Sequence, residues 1–329
     1  MFVLLAYSVV RSYSLGLARN KSFVPVFYWG MLHIIYIPFT GVGIPGYRGD
    51  QWFAQRIEIF KNHTLQSLKA QTNKNFVVWV SFRAEEESND LVDEIALALV
   101  KAGIRFVFTF HGLMYYDDKY TPDINGKLKN FGRIIRSCYR SGRWRDIRSG
   151  ARELLRDKNA TLLKRLTRSL HTLQKSRVID PQEVTETVLM TRLDSDDLLH
   201  KNAVEEIQQA AKQFPTFGAY TIQEGYIYNA PTGELAEYNP QTNPPFHTIA
   251  FRNYTFFSPL KHFNTYKTFR SHEDIPEIFN TLAALNRGFC VTTHNPKNHI
   301  STTFNHPFRG KLIDNEKEKR AILKTFGIG

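Results

Sequence analysis

Residues 186–197 read ETVLMTRLDSDD, an apolar run that ends in three carboxylates within four positions. The apolar part, Glu186–Leu193, predicts a strand of a sheet, and Asp194, Asp196 and Asp197 follow its end directly. Like charges this close repel one another, so an uncompensated cluster of this kind is unfavourable. Open α/β sheets bind ligands beyond the carboxyl ends of their strands. The stretch therefore predicts a ligand site at the edge of an α/β sheet.

A divalent cation would relieve the repulsion between the three carboxylates. Oxygen ligands in this arrangement suit Mn²⁺ or Mg²⁺, which share their coordination with a substrate diphosphate. The structural alternative is that Asp196 or Asp197 caps the helix predicted over Lys201–Phe214, because acids stabilise a helix amino terminus. Capping accounts for one or two carboxylates and leaves the third unexplained, so the cluster favours Mn²⁺ or Mg²⁺ as a cofactor.

Strands and helices alternate on both sides of this stretch, which predicts an α/β fold with a mostly parallel sheet and right-handed crossovers. A late antiparallel hairpin is predicted from Gly218–Asn229 and a return strand after the turn at Pro231–Gly233. The other predicted strands are Leu32–Phe39, Phe76–Phe82, Ile104–Phe110 and Phe289–Thr293, and the other predicted helices are Trp52–Ala70, Asp90–Ala102, Ala151–Leu173 and Ile275–Asn286.

The composition places the chain among globular proteins, since 42% of its 329 residues are hydrophobic and 22% are charged. It has no apolar run of about 18 residues, so no membrane span is predicted. Its two cysteines, Cys138 and Cys290, exclude a disulfide framework and fit a reducing, cytoplasmic compartment. The 43 Lys and Arg outnumber the 31 Asp and Glu, and the resulting charge of +12 favours polyanionic partners.

This basicity is confined to residues 127–178, which hold 16 Lys and Arg against three acids. Four arginines recur there at three- and four-residue spacing, and one helical face would therefore carry Arg133, Arg136, Arg140 and Arg143. We interpret the segment as a basic helical insert that contacts the anionic inner face of the cell membrane. The alternatives are a solvated helical surface and nucleic-acid binding. Nucleic acid is disfavoured because only Tyr139 and Trp144 offer rings for base stacking.

Four motifs follow one another along the chain, namely Trp52 with Arg56, TLQSLKAQTNKNF at 64–76, RLDSDD at 192–197, and THNPKNHIS at 293–301. In order and spacing they resemble a rhamnosyltransferase-like bacterial family of GT-A-fold glycosyltransferases, over residues 31–305. The resemblance implies a three-layer α/β/α fold. It also implies an enzyme that moves a sugar, such as rhamnose, from a nucleotide-sugar donor to a glycan or lipid-linked acceptor. The sequence departs from the family at Ser81-Phe82-Arg83, where a carboxylate for the nucleobase or ribose is expected.

The same resemblance implies which residues would hold the metal and the donor. Asp196 would be the direct metal ligand, and Asp197 would bind through water or cap the helix. His294 would supply a second ligand from the carboxyl-terminal part of the chain, with His299 as its competitor. Asp194 would orient the ribose or the sugar. In this family the metal bridges the two phosphates and stabilises the departing diphosphate.

Two basic residues and one aromatic residue complete the implied donor site. Arg192 would offset the charge of the carboxylates that follow it, and its structural alternative is a surface arginine. Arg56 and Trp52 share a helical face and would contact the diphosphate or the base of the donor. Their structural alternative is a stabilising cation–π pair or a core tryptophan.

A general base for the acceptor hydroxyl is required if the transferase inverts the configuration of the sugar. The pair Glu273 and Asp274 resembles the acidic pair that supplies this base in many inverting GT-A enzymes. We favour Asp274, with Glu273 and His272 as alternatives. The structural alternative is that Ser271 or Asp274 caps the helix that follows.

One GT-A-like domain is therefore predicted, with an insert and two terminal extensions. Its parts are an amino-terminal extension (1–30), a nucleotide-binding half (31–126), the basic helical insert (127–178), a DxD and acceptor half (179–305) and a carboxyl-terminal tail (306–329). Two other functions remain open. The same carboxylates would serve a metal-dependent nucleotidyl- or phosphotransferase, and the insert would serve a nucleic-acid-binding protein.

Overall fold

The computed structural model describes residues 31–40, 50–113, 132, 135, 136, 139, 158–179, 186–216, 218–241, 246–266, 272–285, 287–294 and 304–329. The extension 1–30 and much of the basic insert, including Arg133, Arg140 and Arg143, lie outside the described residues, and so does His299. No helix within the described ranges is long and apolar enough to cross a membrane.

The strands form two sheets. In chain order they are β1 (Met31–Pro38), β2 (Val77–Ser81), β3 (Phe106–Thr109), β4 (Thr187–Arg192), β5 (Leu198–Leu199), β6 (Ala219–Ile222), β7 (Gly225–Asn229), β8 (Glu234–Tyr238), β9 (His247–Arg252), β10 (Thr281–Leu285), β11 (Phe289–Thr293) and β12 (Arg309–Leu312). The central sheet has seven strands in the order β10-β6-β9-β4-β1-β2-β3. Its strands are parallel except β9, which runs antiparallel to both β4 and β6. The predicted α/β class is confirmed, with a mixed sheet.

Helices cover both faces of the central sheet, and the last helix in the chain packs against the second sheet. They are α1 (Asp50–Asn62), α2 (Thr64–Ala70), α3 (Asp90–Lys101), α4 (Lys158–Lys175), α5 (Ala203–Gln213), α6 (Asn253–Phe256), α7 (Pro259–Tyr266), α8 (Ile275–Ile278) and α9 (Glu316–Thr325). Successive side chains of β1 point to opposite faces. Ile35 and Ile37 join the buried cluster that contains α1, α2, α3 and α5. Ile34 and Tyr36 join the cluster that contains α4, α6, α7 and α8. The arrangement has three layers.

The predicted late hairpin exists, but it does not belong to the central sheet. Residues 218–229, predicted as one strand, form β6 and β7 in different sheets. The hairpin is β7 with β8, and it lies in a second, five-stranded sheet of order β12-β8-β7-β11-β5. The sequence could not show this, because an apolar run does not reveal where a chain leaves one sheet for another.

Two predicted helices differ from the structure. The helix predicted over Trp52–Ala70 is two helices, α1 and α2, which meet at His63. The helix predicted over Ile275–Asn286 ends at Ile278, and Thr281–Leu285 forms β10, which pairs with β6. A short apolar run such as TLAAL fits a strand as well as a helix, and here pairing with the edge of the sheet decides for the strand.

The segment 306–329 contains structure of its own. β12 pairs antiparallel with β8 at the edge of the second sheet. Leu323 and Phe326 are buried with Leu198 and Tyr226 in a third hydrophobic cluster, so α9 packs against the second sheet. The Lys201 N–H donates a hydrogen bond of 2.8 Å to the carbonyl of Thr325. This segment therefore supports the turn that follows the acidic stretch.

Candidate active site

The acidic stretch lies at a crossover point of the central sheet. From β1 the chain moves to β2 and β3 on one side, whereas β4 lies on the other side of β1. A crevice opens at such a switch point, beyond the carboxyl ends of the two strands. The N–H of Leu193 donates to the carbonyl of Tyr36 at 3.0 Å, which continues the pairing of β4 with β1 up to this edge. Asp194 follows directly, so the three carboxylates lie at the crevice.

Arg56 of α1 binds the middle carboxylate. Its Nη1 donates to Asp196 Oδ2 at 2.7 Å, and its Nη2 donates to Asp196 Oδ1 at 2.9 Å. Its Nε donates to Ser195 Oγ at 2.8 Å. The side chains of Arg56 and Asp196 are 14% and 8% exposed, so this is a nearly buried, two-pronged ion pair.

Asp194 is the most accessible of the three carboxylates, with 31% of its side chain exposed. Arg192, two residues earlier, donates from Nη2 to both of its oxygens, at 3.0 and 3.2 Å. The role predicted for Arg192, compensation of carboxylate charge, matches this contact. Asp194 therefore presents a fixed but reachable carboxylate to the crevice.

Asp197 points away from the crevice towards β11. Its Oδ1 accepts a hydrogen bond of 3.0 Å from the backbone N–H of Thr292, and the residue is only 6% exposed. It does not cap the following helix, since α5 begins at Ala203 with Asn202 as its N-cap. The chain instead forms β5, which pairs with β11. The capping alternative is therefore wrong for α5.

Thr292 and His294 extend the hydrogen bonds of the acidic stretch along β11. The Thr292 hydroxyl donates to the carbonyl of Asp196 at 2.5 Å, and His294 Nε2 lies 2.7 Å from the same hydroxyl oxygen. Because the hydroxyl proton is already used, His294 Nε2 must carry the proton of that bond. The ring of His63 lies edge-on to the His294 ring at 4.8 Å, and His63 Nδ1 is 3.1 Å from the carbonyl of Ile59.

Burial dominates the electrostatics of the cluster. It raises the pKa of Asp196, although the guanidinium of Arg56 opposes the rise. Burial, together with the charges of Asp196 and Asp194, raises the pKa of Asp197 well above its usual value. Burial, with help from His63 and Arg56, lowers the pKa of His294 to about 3. His294 is therefore neutral near pH 7.

The residues do not fit a metal ion in the arrangement that they adopt. Both oxygens of Asp196 are bound by Arg56, and one oxygen of Asp197 is bound by Thr292. Nε2 of His294 faces a hydroxyl group. Across the described part of the chain, no group of three or more His, Cys, Asp or Glu is placed to hold a metal. Arg56 supplies the compensating charge that the sequence argument assigned to Mn²⁺ or Mg²⁺.

Trp52 lies on α1 one turn before Arg56, whereas the acidic pair lies elsewhere. Trp52 is half-buried and packs against the hydrophobic cluster of the α1 layer, which supports its structural alternative. Asp274 and Glu273 form a short turn of helix, seven and eight residues before β10. β10 runs parallel to β6, and β6 has the direction of β4, so β10 begins at the end of the sheet opposite the crevice. The topology thus separates the predicted base, with its alternative His272, from the carboxylates.

Glu86 is a site residue that the sequence reading missed. It is 2% exposed, and its Oε2 accepts hydrogen bonds from the Arg83 N–H at 2.8 Å and from the Thr40 hydroxyl at 3.0 Å. It thereby ties together the segments that follow β1 and β2 at the crevice edge. The three-residue spacing of Arg83 and Glu86 is that of a capping box, in which the glutamate accepts a hydrogen bond from the backbone N–H of the N-cap residue, so this contact also has a structural role.

A cavity of about 480 Å³ opens beside the carboxylate cluster. Its walls come from α1, α3 and the turn between β7 and β8, and they include Gln55, Glu58, Leu91, Pro231 and His294. His294 is the residue shared by the cavity and the hydrogen-bond chain to Asp196. The cavity therefore gives a ligand a route to one side of the cluster.

Comparison of the chain with models of protein families and with curated proteins finds no match.

Proposed function

We propose that the protein is a glycosyltransferase of the GT-A kind, which moves a sugar from a nucleotide-sugar donor to a glycan or lipid-linked acceptor. The observation that carries the proposal is the position of Asp194 and its two acidic neighbours beyond β4, at the switch point of the sheet. That crevice is where open α/β sheets take nucleotides. The three layers and the reversed strand β9 are compatible with this fold, and the order of the motifs supports it.

Asp194 is the residue proposed to touch the donor. Its carboxylate is accessible and is held by two contacts from Arg192. A fixed carboxylate accepts hydrogen bonds from adjacent hydroxyl groups, which a ribose or a hexose supplies. Arg192 acts as its positioning residue. The substrate class follows from this chemistry, whereas the identity of the sugar does not.

Arg56 and Asp197 are proposed to hold the cluster in shape. Arg56 fixes Asp196 and Ser195, and Thr292 fixes Asp197 to β11. These contacts keep the loop after β4 rigid at the crevice, and a site held to fractions of an ångström lowers the barrier for a bound donor. Mn²⁺ or Mg²⁺ is the cofactor implied by the family resemblance, and the test includes both ions for that reason.

The acceptor is proposed to enter through the cavity beside His294. Its wall combines apolar side chains with Gln55 and Glu58, which accept hydrogen bonds from sugar hydroxyls.

A donor screen tests the proposal. Purified protein is incubated with uridine, guanosine, cytidine and thymidine diphosphate sugars, with Mn²⁺, Mg²⁺ or a chelator, and released nucleoside diphosphate is measured. We expect release with one donor class, and a loss of about a hundredfold in Asp194→Asn. The matched control is Asp314→Asn, which changes an exposed aspartate of the terminal segment and should keep full activity.

Three results would overturn the proposal. Release of pyrophosphate from nucleoside triphosphates, without turnover of any diphosphate sugar, would indicate a nucleotidyltransferase. Equal activity of Asp194→Asn and Asp314→Asn would remove Asp194 from the donor site. Failure of every diphosphate sugar to bind, measured by calorimetry, would exclude the proposed substrate class.

A further inference from the structure

α4 carries a continuous basic stripe on its outer face. Its exposed residues Lys164, Arg168, His171 and Lys175 are spaced four, three and four residues apart, which places them on one side of the helix. The leucines Leu166, Leu170 and Leu173 are buried on the other side, against the central sheet. No Asp or Glu occurs anywhere in Lys158–Lys175. No acid of α4 itself therefore offsets this line of basic side chains.

α7 packs beside α4, and α6 and α7 add exposed apolar groups to the same face of the molecule. Tyr254 and Leu260 are 59% and 58% exposed, although large apolar side chains usually lie inside. Lys261 Nζ lies 4.7 Å from the centre of the Tyr254 ring. The segment Asn253–Tyr266, like α4, contains no acid. Buried residues of both helices face the sheet, so their exposed residues face outwards together.

We propose that this α4–α7 surface docks on an anionic lipid bilayer. The cations of Lys164, Arg168, Lys175 and Lys261 would meet the phosphates of the head groups. Tyr254 and Leu260 would enter the interface, where an aromatic ring with a polar tip is favoured. Binding to an anionic bilayer is driven by positive charge on the protein and by exposed apolar area, and both occur here on one face.

Lipid fits this surface better than nucleic acid does. Single-stranded nucleic acid needs several rings on which bases stack, and Tyr254 is the one large aromatic side chain exposed on the described α4–α7 surface. Lys261 already covers that ring. Leu260 offers nothing to a base, but it fits a lipid interface. RNA binding is accordingly an outcome that the test must detect.

The docking surface reaches the end of the sheet that carries the carboxylate cluster. Arg165, in the middle of α4, donates from Nη1 to the carbonyl of Gly112 at 3.1 Å. Gly112 follows β3, whose carboxyl end lies at the same edge as that of β4. Docking through α4 would therefore bring this edge close to the membrane. The inference stands on charge and exposure and does not need the proposed enzymatic activity.

Vesicle flotation tests the inference with the full chain. Neutral phosphatidylcholine vesicles are compared with vesicles that also contain phosphatidylglycerol, at low and at high salt. We expect binding to the anionic vesicles only, and weaker binding at high salt because ions screen the attraction. Replacing Lys164, Arg168 and Lys175 together with Gln should lower the partition coefficient at least about tenfold. Tyr254→Ser with Leu260→Ser should remove the binding that survives high salt.

Matched controls lie on the opposite layer of the fold. Lys69→Gln, Lys101→Gln and Lys212→Gln remove three exposed charges from α2, α3 and α5, and Leu97→Ser removes an apolar side chain that is 48% exposed. These variants should bind vesicles like the unmodified protein. Circular dichroism confirms that each variant is folded.

The inference fails if the unmodified protein ignores anionic vesicles at low salt, whether or not it binds single-stranded RNA. It also fails if the control charge variants lose as much binding as the α4 variants, since the effect would then come from net charge alone.

Discussion

The contact between Arg56 and Asp196 explains how three carboxylates can lie together at a nearly buried position. Removing a charge from water costs several kcal/mol, and a well-placed partner offsets this cost. Arg56 offers its planar group to both oxygens of Asp196, and Arg192 does the same for Asp194. Two guanidinium groups thus compensate two of the three acids. Burial, together with the charges of Asp196 and Asp194, raises the pKa of the third acid, Asp197, well above its usual value.

Arg56→Gln should destabilise the protein more than Arg192→Gln does. The first change leaves Asp196 buried without its cation, so the free energy of unfolding should fall by about 3 kcal/mol. The second leaves a partly exposed Asp194 that water can reach, so its cost should be about 1 kcal/mol. Urea denaturation at pH 7 measures both values. Adding Asp196→Asn to Arg56→Gln should restore part of the loss, and equal losses in the two single variants would contradict the explanation.

Some residues of the candidate site could be predicted from the sequence, and others could not. It predicted the acidic cluster, because charge density after a strand is visible in the chain itself. Arg56 was named from the resemblance as a contact to the donor, and the structure shows it bound to Asp196. His63 and Thr292 were missed, since their significance arises only where β11 returns beside β4. The acidic pair at Glu273 and Asp274 was predicted from resemblance, and the direction of β10 places it before the opposite end of the sheet.

At the level of elements, the pairing of β7 with β11 connects the second sheet to the site. Gly225 lies opposite Phe289 in the parallel register, and Thr292 follows three residues later on β11. A Cβ on Gly225 would lie 2.4 Å from the backbone oxygen of Phe289. The absence of a side chain therefore lets two strands approach, and the position of Thr292 depends on that approach.

Gly225→Ala should separate these strands and lower stability by about 1–3 kcal/mol, the usual cost of overpacking. Gly310→Ala, at the outer edge of the same sheet, is the matched control. A Cβ there would meet the Glu237 Cβ at 3.0 Å, and this side chain can shift at an open edge. Thermal denaturation compares the two variants. A loss in Gly310→Ala as large as that in Gly225→Ala would contradict the explanation, because the interior pair β7 and β11 would then be no more tightly packed than the edge strand β12.

Elements with a strong local pattern were predicted well. β1, β2 and α3 agree with the prediction to within about two residues. The predictions failed where tertiary contacts decide: the break at His63, the strand β10, and the separation of β6 from β7. In each case the local sequence allows two structures, and packing against a distant element selects one.

At the scale of the whole molecule, a buried polar chain crosses the central sheet. His33 Nε2 lies 2.7 Å from Thr191 Oγ1, which in turn lies 2.5 Å from Thr248 Oγ1, and Gln208 Nε2 lies 3.3 Å from His33 Nδ1. These residues belong to β1, β4, β9 and α5. Burial lowers the pKa of His33 to about 3, so the folded protein keeps this ring neutral.

Acid should therefore destabilise the fold through His33. The unfolded chain binds a proton on this histidine near pH 6.5, whereas the folded chain binds it only near pH 3. The contribution of the neutral ring is complete above about pH 6.5, and it is lost as the pH falls through this window, by at most about 1.4 kcal/mol per pH unit. His262, with a pKa lowered to about 4 by burial, changes stability in the same direction.

Urea denaturation between pH 7 and pH 4 measures the slope of stability against pH. His33→Gln should make the slope shallower, because one of the buried groups with a shifted pKa is removed. His171→Gln changes an exposed histidine on α4 and should leave the slope unchanged. A His33→Gln slope equal to that of the unmodified protein would rule out the proposed role of His33.

The pairing of β1 with β4 affects how the protein folds while it is being synthesised. β1 ends at Pro38, and its partner β4 begins at Thr187, so the sheet closes only after a long stretch of intervening chain has been made. Synthesis of the intervening residues takes roughly 10–30 s at bacterial and eukaryotic rates of translation. During this time the edge of the apolar strand β1 that will pair with β4 stays unpaired. Contacts between such distant segments also slow folding itself. Nascent chains should consequently depend on chaperones until β4 emerges from the ribosome.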